Sequence, residues 1–193
     1  METMLSIFVG VGLAAACGFR IFVPLLVMSI ASLTGQIELA PEFGWIATYP
    51  ALAAFSIATL FEVAAYYIPW LDNLLDTIAV PAATVAGTIV MASAVSEMTP
   101  FLKWGLAVIV GGGVAGTVQG FTSIARLAST ATTGGLGNPA VSTVEAGGSV
   151  VLSILAITLP VVAVIAVVVI LFFASRKIYG WLSRRNKLQA QNE

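Results

Sequence analysis

Four charged residues stand in stretches that are otherwise apolar: Arg20, Glu62, Arg126 and Glu145. An ionised side chain at the centre of a bilayer costs roughly 2.5–3.5 kcal/mol on insertion scales, so each requires a partner, a water-filled cavity or a function. The simplest solution pairs Arg20 with Glu62 and Arg126 with Glu145. Read functionally, the arginines bind a small anionic solute or an anionic lipid head group, and the glutamates are counter-ions or proton-coupling groups. Read structurally, the same pairs fix helix register. Each glutamate sits in a polar stripe: Ser56, Thr59, Glu62 and Tyr66 in one, Ser142, Glu145, Ser149 and Ser153 in the other. Steps of three and four place each stripe on one helix face.

Other chemistry is excluded by residue type. The chain has no His and one cysteine, Cys17. A His proton relay, a His-based metal site and an internal disulfide are therefore ruled out. Asp72 and Asp76 are four apart, a weak metal signal that reads by default as solvated charge. There is no phosphate loop and no nucleophile–base set, so the expectation is no enzyme, no cofactor and no metal. Ser129 to Pro139 is rich in hydroxyls and glycine. It reads as a loop capped by Asn138 ahead of a helix, or as backbone N–H groups open to an anion.

The elements that carry these residues follow from composition. Of 193 residues, 59% are hydrophobic and 9% charged, with a mean hydropathy of +1.03. A soluble domain carries about 25% charged residues. Six helices of about 20 residues would use about 120 residues, close to the apolar fraction. The expectation is an all-α membrane protein of about six spans, without a large soluble domain and without nucleic-acid binding. The runs place spans at Met4–Thr34, kinked at Pro24, then Pro50–Ile68, Pro81–Val95, Pro100–Gly120, Pro139–Pro160 and Pro160–Trp181. A five-span alternative makes the last two one helix kinked at Pro160. Proline suits the first helical turn, where its missing N–H is no loss. The N-terminus lacks the basic region of a signal peptide.

The charges are segregated. Arg20 is the sole basic residue before Thr99, whereas Lys103, Arg126, Arg176, Lys177, Arg184, Arg185 and Lys187 follow it. The basic C-terminal run places that end in the cytoplasm. With six spans the N-terminus is cytoplasmic too, in an inner (plasma) membrane. Gly10, Ala14 and Gly18, followed by Phe19, match Gly112, Gly116 and Gly120, followed by Phe121, at a constant offset. Such small-residue faces admit close helix packing. Three spans per half predict an inverted repeat with broken or kinked first and fourth helices, as in secondary transporters. The halves are residues 1–98 and 99–183, with a basic tail at 184–193.

At these residues the sequence resembles the bacterial membrane family catalogued as domain of unknown function 4126. The resemblance rests on Gly18-Phe19-Arg20 with Pro24, and on Glu62 followed by Ile68-Pro69, Asp72, Asp76 and Pro81. It continues with Arg126, Asn138, Ser142 and Glu145, and it covers about residues 10 to 175. The family often carries an acid next to the Glu145 position, where this chain has Ala146. The resemblance implies an integral inner-membrane protein and supplies no substrate.

The function expected from the sequence is a small transporter or channel-like protein. Arg20, Glu62, Tyr66, Arg126, Asn138, Ser142 and Glu145 would line its binding site. The alternative is an accessory membrane protein without a permeation path, its Arg/Glu pairs structural and its Gly112/Gly116/Gly120 face docking a partner helix. Its partners are the lipid bilayer, an anionic solute or lipid, and a second copy of the chain.

Overall fold

The computed structural model describes residues 2–189, with side chains at 3–68, 71 and 74–177. Among the described residues the fold is all helix. Its elements are α1 (Glu2–Cys17), α2 (Phe22–Leu33), a 3-10 segment (Pro41–Ala47), α3 (Tyr49–Ala65) and α4 (Pro69–Ala94). Then come α5 (Pro100–Leu106), a π segment (Ala107–Gly112), α6 (Gly113–Thr133), α7 (Asn138–Thr158) and α8 (Pro160–Gln189). Four stretches are long and apolar enough to cross a membrane: Leu74–Ala94, Pro100–Thr133, Asn138–Thr158 and Pro160–Lys177. The 3-10 segment and α3, bent by 66°, make up to a fifth.

The first apolar run is not one kinked span. It breaks at Gly18 to Ile21, ahead of Pro24, and the chain then turns back. Gly10 of α1 lies against Met91 and Ala94 of α4. Eighteen positions later Met28 of α2 meets the same level, its Sδ 3.3 Å from Ser93 Oγ. Thr3 bonds Glu97 at 3.0 Å, and the Ala40 N–H bonds the Ser93 carbonyl at 2.8 Å. Both arms therefore end beside the C-terminus of α4, and α1–α2 is a hairpin. Its tip lies half-way down α4: a Cβ on Gly18 would touch Ala115 and Val118, and one on Gly87 would touch Ala115. The break falls before Pro24 for a local reason. Pro24 occupies the first turn of α2, where an N–H has no intrahelical acceptor to lose.

Leu13 to Cys17 are completely buried. This end of α1 is thus enclosed, and the helix packs on α4, α6, α7 and α8. Enclosure accounts for the small, apolar run there, because a helix turn buried all round needs no polar face. Glycine permits the closest approaches. Gly87 and Gly111 face each other across α4 and the π segment, each with the other's carbonyl oxygen under 3 Å from where a Cβ would stand.

Prolines 69, 100 and 160 open helices and 50 and 139 sit in first turns, but Pro81 is interior to α4. That helix starts at Pro69, ahead of the Pro81 start expected for the third span. The fourth span does not stop near Gly120. It runs unbroken from Pro100 to Thr133 through the π segment, unlike the broken first run. Ser129 to Thr133 belong to this helix, which ends at Gly134 with a left-handed φ of 63°. Helices α7 and α8 are separate, in keeping with two helices on either side of Pro160. Ile170 and Ala174 of α8 lie with Ala140, Val141 and Val144 of α7 around one cavity, so the pair runs antiparallel. In the basic tail Arg176 and Lys177 are exposed; Arg184, Arg185 and Lys187 lie outside the residues whose side chains are described.

Candidate functional site

Arg20 leaves the hairpin tip and is 1% exposed. Its Nη2 donates to the Ser142 carbonyl at 3.0 Å and to Ser142 Oγ, both on α7. The same nitrogen lies 3.4 Å from Glu145 Oε2. Its Nε and Nη1 are buried and have no hydrogen-bond acceptor.

Glu145 is shared. Arg126, arriving from α6, grips it with two parallel bonds: Nε to Oε1 at 3.1 Å, and Nη2 to Oε2. Bidentate guanidinium–carboxylate contacts are among the strongest ion-pair geometries. Tyr66, at the end of α3, completes the cluster. Its ring centroid is 3.9 Å from the Arg20 guanidinium carbon and 4.1 Å from that of Arg126. A desolvated cation over an aromatic ring gains about 2 kcal/mol or more. One carboxylate and one ring thus serve two cations. A third partner is Asp76, whose Oδ1 is 3.9 Å from Arg126 Nε.

Glu62 does not pair with Arg20. Its Oε1 accepts the Ile21 N–H at 2.7 Å and its Oε2 the Phe22 N–H at 3.0 Å. The physical reason is the break itself. Ending α1 at the tip exposes the first N–H groups of α2, and a carboxylate satisfies two of them at the positive end of the helix dipole. Arg20 is then left to α7.

The structure gathers Arg20, Tyr66, Arg126, Ser142 and Glu145 into one cluster, with Glu62 beside it. Asn138 is not a cap. It is the buried first residue of α7, bonded through Nδ2 to Thr130 Oγ1 at 3.1 Å. The Ser149 hydroxyl bonds the Ala16 carbonyl at 3.0 Å, joining the stripe of α7 to α1. Arg126 is buried. Asp76, expected as solvated charge, instead faces Arg126; the side chain of Asp72 lies outside the described residues. What the sequence reading missed is the pair of backbone amides at Ile21 and Phe22. Gly18 and Pro24, which bracket them, were the available signal.

The small-residue faces are used within the chain. Gly10 meets α4, Gly18 meets α6, and Gly112 and Gly116 meet Thr84 and Thr88 of α4. Gly120 has open space around it. A cavity of about 480 Å³ runs beside the cluster between α6, α7 and α8. Its lining is apolar, including Phe19, Phe121 and Ile170, with Glu145 and Thr122 as polar members; Arg20 and Glu62 do not line it. Among the described residues no group of acids and cysteine could hold a metal ion.

Residues 7–179 match the family described as Domain of unknown function (DUF4126). No curated protein and no solved structure matches the chain.

Proposed function

The chain belongs to this family, whose description names no activity, and from the geometry of Arg20 we propose a small transporter or channel-like protein for a small anion. One observation carries the reading. A hairpin tip half-way down a membrane-length helix holds a buried guanidinium with two nitrogens lacking acceptors. A buried donor without a partner costs about 1–3 kcal/mol, more when charged. A bound anion would remove that cost. Arg126 has a different role. Its bidentate pairing with Glu145 makes it the clamp that holds α6 to α7, as in the structural reading of the pairs.

In this proposal α1–α2 dips into the membrane and returns to the side it came from. Helices α3, α4, the continuous α5–α6, α7 and α8 then cross it. Five crossings put the termini on opposite faces. The basic residues Arg176 and Lys177 assign the C-terminus to the cytoplasm and the N-terminus to the outside. This replaces two cytoplasmic termini.

The test is anion flux in proteoliposomes, with formate and nitrate as probes. Arg20→Met keeps an unbranched side chain of similar reach and leaves Glu145 paired one-to-one with Arg126. Flux should fall at least tenfold while thermal stability holds. Unchanged flux would refute the proposal; loss of folding in both Arg20→Met and Arg20→Lys would make Arg20 structural.

A further inference from the structure

Resting on that reading of Arg20, we infer that the N-terminus of α2 is a binding place for a planar oxyanion of the carboxylate class, occupied here by the Glu62 side chain, which the solute displaces. Three observations converge on it. The first is that the place already holds a carboxylate, with one N–H to each oxygen: Ile21 N–H at 2.7 Å and Phe22 N–H at 3.0 Å. Two donors from consecutive residues match two oxygens on one planar group. A monatomic anion would have to share one centre between them. Second, the chain neighbours of the amides and of Glu62 carry buried donors without acceptors. Arg20, the residue before Ile21, has free Nε and Nη1, and the buried Thr59 Oγ1, one turn before Glu62 on α3, has no partner either. Third, Glu62 comes from a separate helix rather than from α2. Its carboxylate can withdraw from the amides by side-chain rotation, without unfolding the hairpin tip.

The groups that face Glu62 decide what happens when it leaves. Arg20 at the tip, Arg126 on α6, Tyr66 on its own helix and Cys17 at the end of α1 lie within electrostatic reach. A solute anion that replaces the Glu62 carboxylate keeps the charge of the site constant if Glu62 takes up one proton as it departs. Anion binding is thereby linked to uptake of a proton, and the solute and proton move together. The two arginines remain charged throughout.

The experiment is rescue of a missing carboxylate. Glu62→Ala, purified in detergent, should melt below the wild-type protein. Formate and nitrate should raise its melting temperature, by roughly 3–5 °C for each tenfold rise above Kd. Chloride at the same ionic strength should give a smaller rise, and the wild-type protein at alkaline pH should not respond. An equal response of Glu62→Ala to all three anions, or none, overturns the inference. If Glu62→Ala does not accumulate, the wild-type protein decides. Nitrate keeps its charge across the range, and it should stabilise the protein more at acid pH, where Glu62 can be protonated. The same nitrate shift at both pH values overturns the inference. Flux separates this result from the transport proposal. Rescue without Arg20-dependent flux leaves a binding site and no transporter, whereas Arg20-dependent flux without rescue leaves a transporter whose anion sits elsewhere.

Discussion

Glu145 is the one acceptor that two buried guanidiniums share, so removing its charge should cost more than removing either arginine. The distance from Arg20 Nη2 to Glu145 Oε2 is 3.4 Å. At an effective dielectric constant of about 20 this corresponds to roughly 5 kcal/mol of attraction before desolvation. The bidentate contact with Arg126 adds to it. Breaking a buried pair by removing one partner costs about 3–5 kcal/mol, because the other charge is stranded. Glu145→Gln takes the shared carboxylate from two cations that repel each other, leaving Arg126 its longer contact with Asp76 at 3.9 Å. Arg126→Met, by contrast, leaves Glu145 to Arg20 and takes a cation from Asp76, whose side chain is 23% exposed and can turn to solvent. The expected loss is therefore about 3–5 kcal/mol for Glu145→Gln, a fall in melting temperature of about 6–20 °C, and distinctly less for Arg126→Met. The double variant should lose less than the sum of the singles, with a coupling of about 0.5–3 kcal/mol. Thermal and denaturant unfolding in detergent measure all three. The reasoning fails if Glu145→Gln loses under about 1 kcal/mol, or if Arg126→Met is the more damaging change.

Three further outcomes follow from the geometry. Single cysteines at Met4 and Gln36 should be labelled from the same side of the membrane and one at Leu136 from the other; the six-span arrangement separates Met4 from Gln36. The native Cys17 is fully buried and should stay silent. Lys103 is buried, while its partner Glu42 at 2.8 Å has an exposed side chain. Glu42→Gln should therefore destabilise the protein more than Lys103→Met, because it strands the desolvated charge; equal effects in a melting assay would contradict this. Gly87→Ala forces a Cβ to 2.4 Å from that of Ala115 and 2.7 Å from a backbone oxygen, which should cost about 1–3 kcal/mol. Gly120→Ala meets nothing within 4 Å and should gain up to about 1 kcal/mol from helix propensity. Comparing their melting temperatures tests whether these glycines serve packing inside the chain.

Composition and run length were enough to place most of the helices, because a membrane-length apolar run bounded by proline has few other structures open to it. They also drew attention to Arg20, Glu62, Arg126 and Glu145, since charge is conspicuous against so apolar a background. The pairing was only half legible. Arg126 and Glu145 lie on adjacent helices whose polar faces meet. Arg20 and Glu62 were matched by charge alone, and charge counting has no place for backbone amides as the competing partner. The fold-back at Gly18 was illegible for a related reason. A hairpin of two short apolar helices and a single long kinked one have the same hydropathy. Only the contacts of Gly10 and Met28 with one end of α4 distinguish them.

That distinction changes what Arg20 is. On a continuous helix an arginine in mid-membrane is one side chain among many, and a glutamate on a neighbour suffices to explain it. At a hairpin tip it stands where two helix ends expose backbone polar groups, which lipid cannot satisfy. The fold answers with three groups from two other elements. Glu62 of α3 takes two N–H groups, Ser142 of α7 takes Arg20 Nη2, and Tyr66 covers the guanidinium. This arrangement is complete except at Arg20 Nε and Nη1 and at Thr59 Oγ1. A tip evolved only for packing would be cheaper with an apolar residue at position 20, since replacing buried charge by apolar side chains is often neutral or stabilising. The cation, the carboxylate on the amides and the donors without acceptors are therefore the grounds on which we propose that one anion stands in for another here.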